Sequence, residues 1–295
     1  MSRRKSYKLS LPQVVGALVI LLGALLGGRA ALPESNTQTG YAAHFIDVGQ
    51  GDSELLQLGS DYVLIDAGPT DAGDKVVSYL KQQGVTRLRA IIATHPHEDH
   101  IGGMAAVLAA FPVDSFYMPN KTTNTKVFSK MLDGIEKQGI KPTIPTPGDK
   151  LTVSGVTLTF LSPKPKASFD NLNNYSLVAM VDTGSERALF AGDAEKEIES
   201  ALLAQKIDLS CDLYKVSHHG SSTSSTAAFL KAMSPRIAVI SCGKDNSYGH
   251  PHKSVLTRLT QAGVEKINNT AEDGTVVLPL SPPSGSASSP KENAA

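Results

Sequence analysis

Cysteine is scarce in this chain, which has two among 295 residues, Cys211 and Cys242. Two cysteines exclude a small fold held together by several disulfides. One lies at the start of a predicted strand and the other at the end of a second strand. If these strands are parallel neighbours, the thiols are too far apart for a disulfide, which needs Cα atoms within about 6 Å. We expect two buried free thiols.

An excess of positive charge is also missing. The chain has 28 basic and 28 acidic side chains, so its formal net charge is zero. Five basic residues and no acid fall within residues 1–30, which leaves 23 basic against 28 acidic side chains, a net charge of −5, in the rest. A broad basic surface, which binds nucleic acid through its phosphates, is therefore not expected. An anionic ligand would need a local positive centre.

Long apolar runs are absent except near the N-terminus, where a basic stretch precedes the apolar run 14–26 and small residues follow it. This pattern is typical of a signal peptide, and residues 9–28 just reach the roughly 20 residues of an uncleaved membrane anchor. Either interpretation predicts an exported body. We divide the chain into a signal peptide or anchor (1–31), a polar linker (32–40), one domain (41–280) and a disordered tail (281–295).

The domain has two successive halves in which strands come first and helices follow. The first half begins with a predicted strand at 44–48 and contains the amphipathic helix Lys126–Lys137, and the second half begins at Leu151. Because apolar sheet faces must be covered, this order predicts two sheets packed face to face with helices outside. We expect an α/β fold, a four-layer αββα sandwich.

The segment Thr94-His95-Pro96-His97-Glu98-Asp99-His100 follows an apolar strand. In an extended chain, side chains two residues apart point to the same side, so we expect His95, His97 and Asp99 to converge. Three histidines and a carboxylate suit zinc, manganese or iron. A solvated polar loop is the alternative, but the strand before the segment and Gly102-Gly103 after it favour a metal site.

The pattern His95-x-His97-x-Asp99-His100 is the signature of the metallo-β-lactamase superfamily, and residues 44 to about 278 resemble the metallohydrolase domain of the ComEC family of DNA-internalisation competence proteins. Four further segments carry the resemblance: Phe45-Ile-Asp-Val-Gly-Gln-Gly-Asp52, Ala191-Gly-Asp193, Lys215-Val-Ser-His-His-Gly-Ser221 and Tyr248-Gly-His-Pro-His252. The resemblance implies the metallo-β-lactamase sandwich with two divalent metal ions, zinc or manganese, at one edge.

By this resemblance, His95 and His97 bind the first metal, Asp99 and His100 bind the second, and Asp193 bridges both. A histidine of the pair His218 and His219 completes the second site. Spacing leaves open which one it is. We favour His219 as the ligand, with His218 contacting the substrate anion or moving a proton. For Asp193, the cap of a helix N-terminus is the alternative role.

One ligand of the wider superfamily is missing, because no histidine occurs from residue 101 to 217. Asn174 and Ser176 stand where that ligand would come, and a plain turn is the alternative. An oxygen-rich site favours manganese as well as zinc. Asp47 and Asp66 are further candidates near the metals. Gly102, Gly103, Ser221 and Ser222 are candidate hydrogen-bond donors to substrate oxygens. Turn formation and capping are the alternative roles, and for the serines they are the favoured ones.

The implied function is that of an exported hydrolase that cleaves phosphodiester bonds of an anionic substrate, with DNA as a candidate. A hydroxide between two metals attacks phosphorus, and the catalytic residues are Asp99, Asp193, His218 and His250, the last contacting phosphate or donating a proton. The alternatives are another ester, such as a phosphocholine ester or a lactone, and a metal-binding envelope module without turnover. The sequence indicates membrane contact only through the N-terminal segment and no protein partner.

Overall fold

The computed structural model describes residues 40–164 and 166–283. The signal peptide or anchor predicted at 1–31, the linker at 32–39 and the tail from residue 284 onward lie outside the described residues. Gly40, predicted as the last linker residue, is the first residue of a strand. Within the described part of the chain, no helix combines the length and the apolar character that crossing a bilayer requires.

The described residues form thirteen strands and eight α-helices. The strands are β1 (Gly40–Phe45), β2 (Glu54–Gly59), β3 (Asp61–Ile65), β4 (Ala90–Ile92), β5 (Phe116–Tyr117), β6 (Lys150–Val153), β7 (Val156–Ser162), β8 (Val178–Asp182), β9 (Arg187–Phe190), β10 (Leu213–Lys215), β11 (Ile237–Ile240), β12 (Lys266–Asn269) and β13 (Val276–Pro279). The helices are α1 (Gly73–Gln82), α2 (Glu98–Ile101), α3 (Met104–Ala110), α4 (Lys126–Lys137), α5 (Lys196–Ala204), α6 (Ala227–Met233), α7 (Lys253–Gln261) and α8 (Thr270–Asp273). Short 3-10 helices span Thr70–Ala72, Leu172–Tyr175 and Ser217–Gly220.

Two mixed sheets are built from these strands. The first has the order β13-β1-β2-β3-β4-β5 and the second the order β12-β11-β10-β9-β8-β7-β6. In the first sheet, β3, β4 and β5 run parallel, and in the second β9, β10, β11 and β12 do. The remaining neighbours are antiparallel pairs, so each sheet has one parallel and one antiparallel half.

Alternation along the strands produces three apolar cores and hence four layers. In β2, Leu56 and Leu58 face the second sheet, whereas Leu55, which precedes them, faces the helices on the outer side. The outer face of the first sheet packs against α1, α3 and α4, and that of the second against α5, α6 and α7. Both faces of each sheet are thus buried, as period-two alternation allows. The predicted αββα sandwich is confirmed.

The first strand differs from its prediction. It covers Gly40–Phe45 rather than 44–48, because Phe45 pairs with Glu54 and the chain between them connects β1 to β2. Ile46 closes this connection by donating its amide to the Ser53 carbonyl, at 2.9 Å. The prediction extended the strand to residue 48 because Ile46 and Val48 are apolar. In the structure, these two side chains are buried in the loop and not in the sheet.

The two cysteines are free and buried, as predicted. Cys211 precedes β10 and Cys242 follows β11. These strands are parallel neighbours in the second sheet, so the two residues lie beyond opposite ends of the pair.

The glycine pair after the histidine segment serves packing. Gly102 donates its amide to the Glu98 carbonyl and Gly103 to the Gly68 carbonyl, which corrects the expectation that these amides bind substrate oxygens. A Cβ on Gly103 would come within 2.2 Å of the Ala67 carbonyl oxygen. Helices α2 and α3 therefore approach the loop after β3 as closely as backbone permits, which holds the histidine segment against the sheet.

Gly103→Ala is expected to lower the free energy of unfolding by roughly 1–3 kcal/mol, because the added methyl group overpacks a backbone contact. Urea denaturation followed by circular dichroism measures this change. Gly40→Ala is the matched control, because a Cβ there meets no atom within 4 Å. Equal midpoints for the two variants would contradict the assigned packing role.

Candidate metal centre

The side chains of the centre come from the carboxyl ends of parallel strands. Asp66 follows β3 and His95 follows β4 in the first sheet. In the second sheet, Asp193 follows β9 and the pair His218 and His219 follows β10. Parallel strands end at the same edge of a sheet, so segments distant in sequence meet where the two sheets face each other.

Two groups of potential metal ligands line this edge, and a third group, made of the buried residues Asp52, Asp66 and His100, shares His100 with the second. The first group contains His95, His97 and Asp193, and the second group contains Asp99, His100, Asp193 and His219. Within each group, the ligand atoms lie within 4.8 Å of one another. The structure thus brings together six of the residues that the sequence suggested as ligands, and it includes His219 rather than His218 in the second group.

Asp193 belongs to both groups, and each of its oxygens faces a different one. Oδ2 lies 3.8 Å from His95 Nε2, on the side of the first group. Oδ1 lies 3.2 Å from His100 Nε2 and 3.5 Å from His219 Nε2, on the side of the second group. A carboxylate in this position can bind a cation with each oxygen.

The second group fits a cation on the evidence of its own unsatisfied atoms. His100 Nε2, His219 Nε2 and Asp193 Oδ1 are buried, and each has no hydrogen-bond partner among the described residues. Buried polar atoms rarely go unpaired, because an unmade hydrogen bond costs free energy. Imidazole nitrogen and carboxylate oxygen are the ligands that zinc and manganese accept. The His and Asp groups are therefore suited to hold metal ions.

The metal-facing nitrogen of His100 is set by Asp66. His100 Nδ1 donates to Asp66 Oδ2 at 2.7 Å, which leaves Nε2 to face the second group. Asp66 also accepts from Thr94 through the amide at 2.8 Å and the hydroxyl at 2.5 Å. The backbone of Asp66 has φ of 54°, a strained conformation for a residue with a Cβ, and this conformation places its carboxylate against His100. A carboxylate behind a histidine orients the ring and raises its basicity as a ligand.

Two further contacts hold the ligands in place. His219 Nδ1 donates to the Ser241 carbonyl at 2.9 Å, which directs Nε2 into the second group. The Ser176 hydroxyl accepts from the Asp193 amide at 3.0 Å and lies 3.4 Å from His95 Nδ1. Ser176 therefore contacts both His95 and Asp193, and it does so at the ring nitrogen of His95 opposite to the one that faces Asp193.

Buried charges in the centre act on one another. Burial disfavours the charged forms of His100 and His219, but carboxylates led by Asp193 outweigh it and raise both pKa values well above the ordinary value. Burial alone would raise the pKa of Asp193, but His100 and His219 hold it well below its usual range. Burial lowers the pKa of His95 well below its ordinary value, and His100 adds to this effect. The centre thus places ionised carboxylates beside protonated histidines. A bound cation can take the place of the histidine protons.

The histidine segment is not extended throughout, contrary to expectation. His97 has extended backbone, and helix α2 begins at Glu98, so Asp99 and His100 sit on a helical turn. The change in direction carries Asp99 away from His95 and His97 and into the second group. Alternation in a strand therefore explains the first pair of ligands but not the second.

Asp47 and Asn174 have other roles than those expected. The Asp47 carboxylate accepts from the Gly49 amide at 3.1 Å and from Lys75 Nζ at 2.9 Å, which holds the loop after β1. Asn174 contacts the segment after Asp193, donating to Glu197 at 2.9 Å and accepting from the Glu195 amide at 3.2 Å. The turn Leu172–Tyr175 rotates Asn174 away from the ligands.

The serines after the histidine pair close a turn. The Ser221 hydroxyl lies 3.0 Å from the Thr223 hydroxyl, and the Ser222 amide donates to His252 Nδ1 at 3.0 Å. Turn formation, the role that the sequence favoured for these serines, accounts for both contacts. Upstream, His218 and His219 have φ of 50° and 53°, a conformation uncommon for side chains with a Cβ, and this backbone orients the two rings differently.

A cleft of about 290 Å³ opens over the two groups. It is lined by Gln50, His97, Glu98, Asp99, Asn173, Asp193, His218, His219, Tyr248 and His250. His218 Nε2 lies 3.7 Å from Asp193 Oδ2 and 3.3 Å from Asn173 Nδ2, on the side of the first group. Asn173 therefore occupies the position expected for its neighbour Asn174, and its buried Oδ1 has no hydrogen-bond partner in the described chain.

His250 is held in one orientation at the mouth of this cleft. Gln50 Oε1 accepts from the Gly243 amide at 3.1 Å, so its amide nitrogen faces His250 Nδ1 at 3.4 Å. Nδ1 then accepts a hydrogen bond and the ring proton lies on Nε2. Burial, with the neighbouring His219 and His218, lowers the pKa of His250 to about 4, so the ring is neutral at pH 7.

Below the centre lies a buried ion pair that the sequence interpretation missed. Lys215 Nζ donates to Asp52 Oδ2 at 2.7 Å, and both side chains are almost fully buried. Asp52 Oδ1 is 3.1 Å from His219 Nδ1, so the pair touches the second group from behind. Burial would raise the pKa of Asp52, but Lys215 and His219 hold it at about 2. Asp52 and Lys215 both lie in segments that carry the family resemblance, but no local pattern in either segment indicates that they form a pair.

Asp66→Asn is expected to weaken metal binding by roughly 10- to 100-fold, because the amide does not reproduce the carboxylate behind His100. Competition with a fluorescent zinc chelator measures the affinity. Asp133→Asn, an exposed position on α4, is the control and should leave the affinity unchanged. Unaltered affinity in Asp66→Asn would show that His100 is oriented without this carboxylate.

Comparisons with known proteins agree with this geometry. Residues 46–244 match the family described as the metallo-beta-lactamase superfamily. The chain is 32% identical over 251 residues to ComE operon protein 3 of Bacillus subtilis (strain 168), covering 78% of this chain and 32% of that protein. It is 30% identical over 263 residues to competence protein ComA of Neisseria gonorrhoeae, covering 87% and 35%. The chain thus spans about a third of the length of these curated relatives.

Among solved structures, the metallo-beta-lactamase fold protein YhfI from Bacillus subtilis superimposes with a TM-score of 0.54 at 15% identity, covering 81% of this chain and 99% of that one. A sequence identity this low supports a shared fold and nothing further about function. The family match, by contrast, runs through both sheets and takes in every histidine from residue 95 to 219. The resemblance inferred from the sequence is confirmed: the chain belongs to the metallo-β-lactamase superfamily of metal-dependent hydrolases and is related to competence proteins.

Proposed function

We propose that this protein is a phosphodiesterase that acts on an anionic strand such as DNA with two divalent cations, zinc or manganese. The observation that carries the proposal is the sharing of Asp193 between two adjacent ligand groups at the floor of the cleft. Two ion-binding groups joined by one carboxylate are typical of sites that cleave phosphate esters. The relatives named as competence proteins favour DNA among anionic substrates.

Bound divalent cations would supply positive charge at the centre, which suits this substrate because the rest of the chain supplies no excess of positive charge. Two bound divalent ions would lower the pKa of water and neutralise charge on the attacked phosphate. His95 and His97 would hold one ion, and Asp99, His100 and His219 the other. Asp193 keeps the two positions adjacent by facing each with one oxygen.

The chain's own residues complete the site around the phosphate. His250 lines the cleft with its proton on Nε2, so that it can donate to a phosphate or leaving-group oxygen without itself being charged. His218 is oriented by Glu195 Oε1, 3.2 Å from Nδ1, and lies beside Asp193. It is placed to accept or pass on a proton near the first group.

We also propose that the enzyme is exported and works outside the cytoplasmic membrane, secreted or held there by its N-terminal segment. This proposal rests on the basic start, the apolar run 14–26 and the small residues that follow. Fractionation of cells that express the full chain, with protease added to intact cells, tests it. Protection of the chain from that protease would contradict export.

A substrate panel tests the proposed reaction. The full-length chain, loaded with zinc or manganese, is incubated with bis(p-nitrophenyl) phosphate, single-stranded and duplex DNA, a phosphocholine ester, a lactone and a β-lactam. Metal content is measured on the same sample. We expect turnover of the phosphodiesters with two ions bound. Turnover of lactone or β-lactam alone would reassign the substrate, and bound metal without any turnover would indicate a binding module.

A further inference from the structure

One hydrophobic side chain stands out among the residues that line the cleft. Tyr248 is 65% exposed, more than any other large hydrophobic side chain in the described residues. It lies on the loop between β11 and α7, beside residues of both ligand groups. A single exposed ring needs no explanation by itself. Its position at the mouth of the cleft makes this ring a candidate contact for a ligand.

The ring of Tyr248 is the outer end of a ladder of three stacked rings, those of His219, His250 and Tyr248, that begins at the metal centre. His219 and His250 have centroids 6.0 Å apart and planes inclined by 30°. His250 and Tyr248 follow with centroids 5.5 Å apart and planes inclined by 18°. Both steps lie within the range of roughly 4.5–7 Å in which aromatic rings interact. The ladder therefore extends from a potential metal ligand to the protein surface.

The loop that carries the ladder is held in place before any ligand arrives. Asn246 Oδ1 accepts from the amides of Tyr248 at 3.1 Å and His250 at 3.0 Å. Its Nδ2 donates to the carbonyls of Gly243 at 2.9 Å and His250 at 2.6 Å. A ligand that stacks on Tyr248 thus meets a ring whose backbone is already ordered, and this lowers the entropy cost of binding.

We propose that Tyr248 is a stacking platform for a nucleobase of a single-stranded nucleic acid whose phosphodiester lies at the metal centre. This inference rests on the proposed phosphodiesterase function and names its substrate class. A nucleoside ester carries a planar base one sugar away from the phosphate, which matches a ring platform beside the cations. A base in a duplex is stacked on both faces, so the platform selects unpaired strands.

Charge supports the same substrate. Outside residues 1–30 the chain has a net charge of −5, so a broad basic surface does not supply the affinity for a strand. Stacking on an aromatic side chain is independent of charge and tolerates any base, and it contributes roughly ten- to hundredfold in affinity per base. Tyr248 offers this contact where the composition offers little electrostatic attraction.

Two aryl phosphodiesters that differ only in the nucleoside test the platform. Thymidine 5′-(p-nitrophenyl phosphate) carries a base, whereas methyl p-nitrophenyl phosphate carries none and has the same leaving group. For the full-length metal-loaded chain, we expect Tyr248→Ala to lower the ratio of kcat/KM for the two esters about tenfold, mainly through KM of the thymidine ester. Tyr248→Phe should keep the ratio within about twofold, because the ring is retained. Ile207→Ala, at an exposed site away from the cleft, should leave both rates unchanged.

A binding measurement separates failure of this inference from failure of the proposed function. Fluorescence anisotropy of a labelled phosphorothioate oligothymidylate, which resists cleavage, is measured with the metal-loaded chain. It should show about tenfold weaker binding for Tyr248→Ala and weaker binding of a matched duplex to the unaltered chain. If Tyr248→Ala changes neither the ratio nor the anisotropy, stacking is wrong even where both esters are hydrolysed. If neither ester is hydrolysed, the reaction is wrong and the anisotropy alone decides on the platform.

Discussion

Asp193→Asn is expected to lower kcat/KM for bis(p-nitrophenyl) phosphate by about 1,000-fold, which corresponds to roughly 4 kcal/mol of lost transition-state stabilisation. The physical reason is that one carboxylate serves both ligand groups. Oδ2 faces His95 and Oδ1 faces His100 and His219, so a neutral amide weakens both cation positions at once. Initial rates and metal content by mass spectrometry, measured on the same preparation, check the result.

Asp133→Asn is again the matched control, since it makes the same chemical change at an exposed position of α4 and should alter neither rate nor metal content. The expected pattern is loss of metal together with loss of rate in Asp193→Asn alone. Full turnover by Asp193→Asn with two ions still bound would remove the bridging role from this residue and, with it, the main support for the proposed reaction.

Lys215→Met is expected to destabilise the metal-free protein by about 3–5 kcal/mol, because it removes the lysine cation that is paired with the buried carboxylate of Asp52. The Asp52 and Lys215 side chains are 2.7 Å apart and almost fully buried. Glu54, whose Oε1 lies 4.0 Å from Lys215 Nζ, adds no second stranded charge, since burial and Asp52 raise its pKa well above the ordinary value and favour its neutral form. Urea denaturation in the presence of chelator measures the change without a contribution from metal binding.

A second variant distinguishes the stranded charge from lost packing. In Asp52→Asn combined with Lys215→Met, no buried charge remains unpaired, so we expect recovery of at least half of the lost stability. Arg236→Met removes one partner of an exposed pair with Glu265, 3.8 Å apart, and should cost less than about 1 kcal/mol. A double variant no more stable than Lys215→Met would assign the loss to packing around the lysine stem.

The sequence interpretation succeeded where chemistry is local. The helix predicted at Lys126–Lys137 and the two halves of strands followed by helices appear in the structure, because apolar periodicity reports which faces are buried. It succeeded less well at loops. The strand predicted at 44–48 ends at Phe45, since the apolar side chains beyond it are buried by the loop rather than by sheet pairing.

By itself, the sequence determined the four layers and the segments that carry the metal ligands, because hydrophobic period and ligand chemistry are properties of short stretches of chain. Only the tertiary structure decided how those ligands divide between two groups around Asp193, and that Asn173 rather than Asn174 lines the cleft. It alone paired Lys215 with Asp52, 163 residues away. These features depend on which strand ends meet at the shared edge of the sheets and on how each turn rotates the next side chain, and neither can be inferred from spacing.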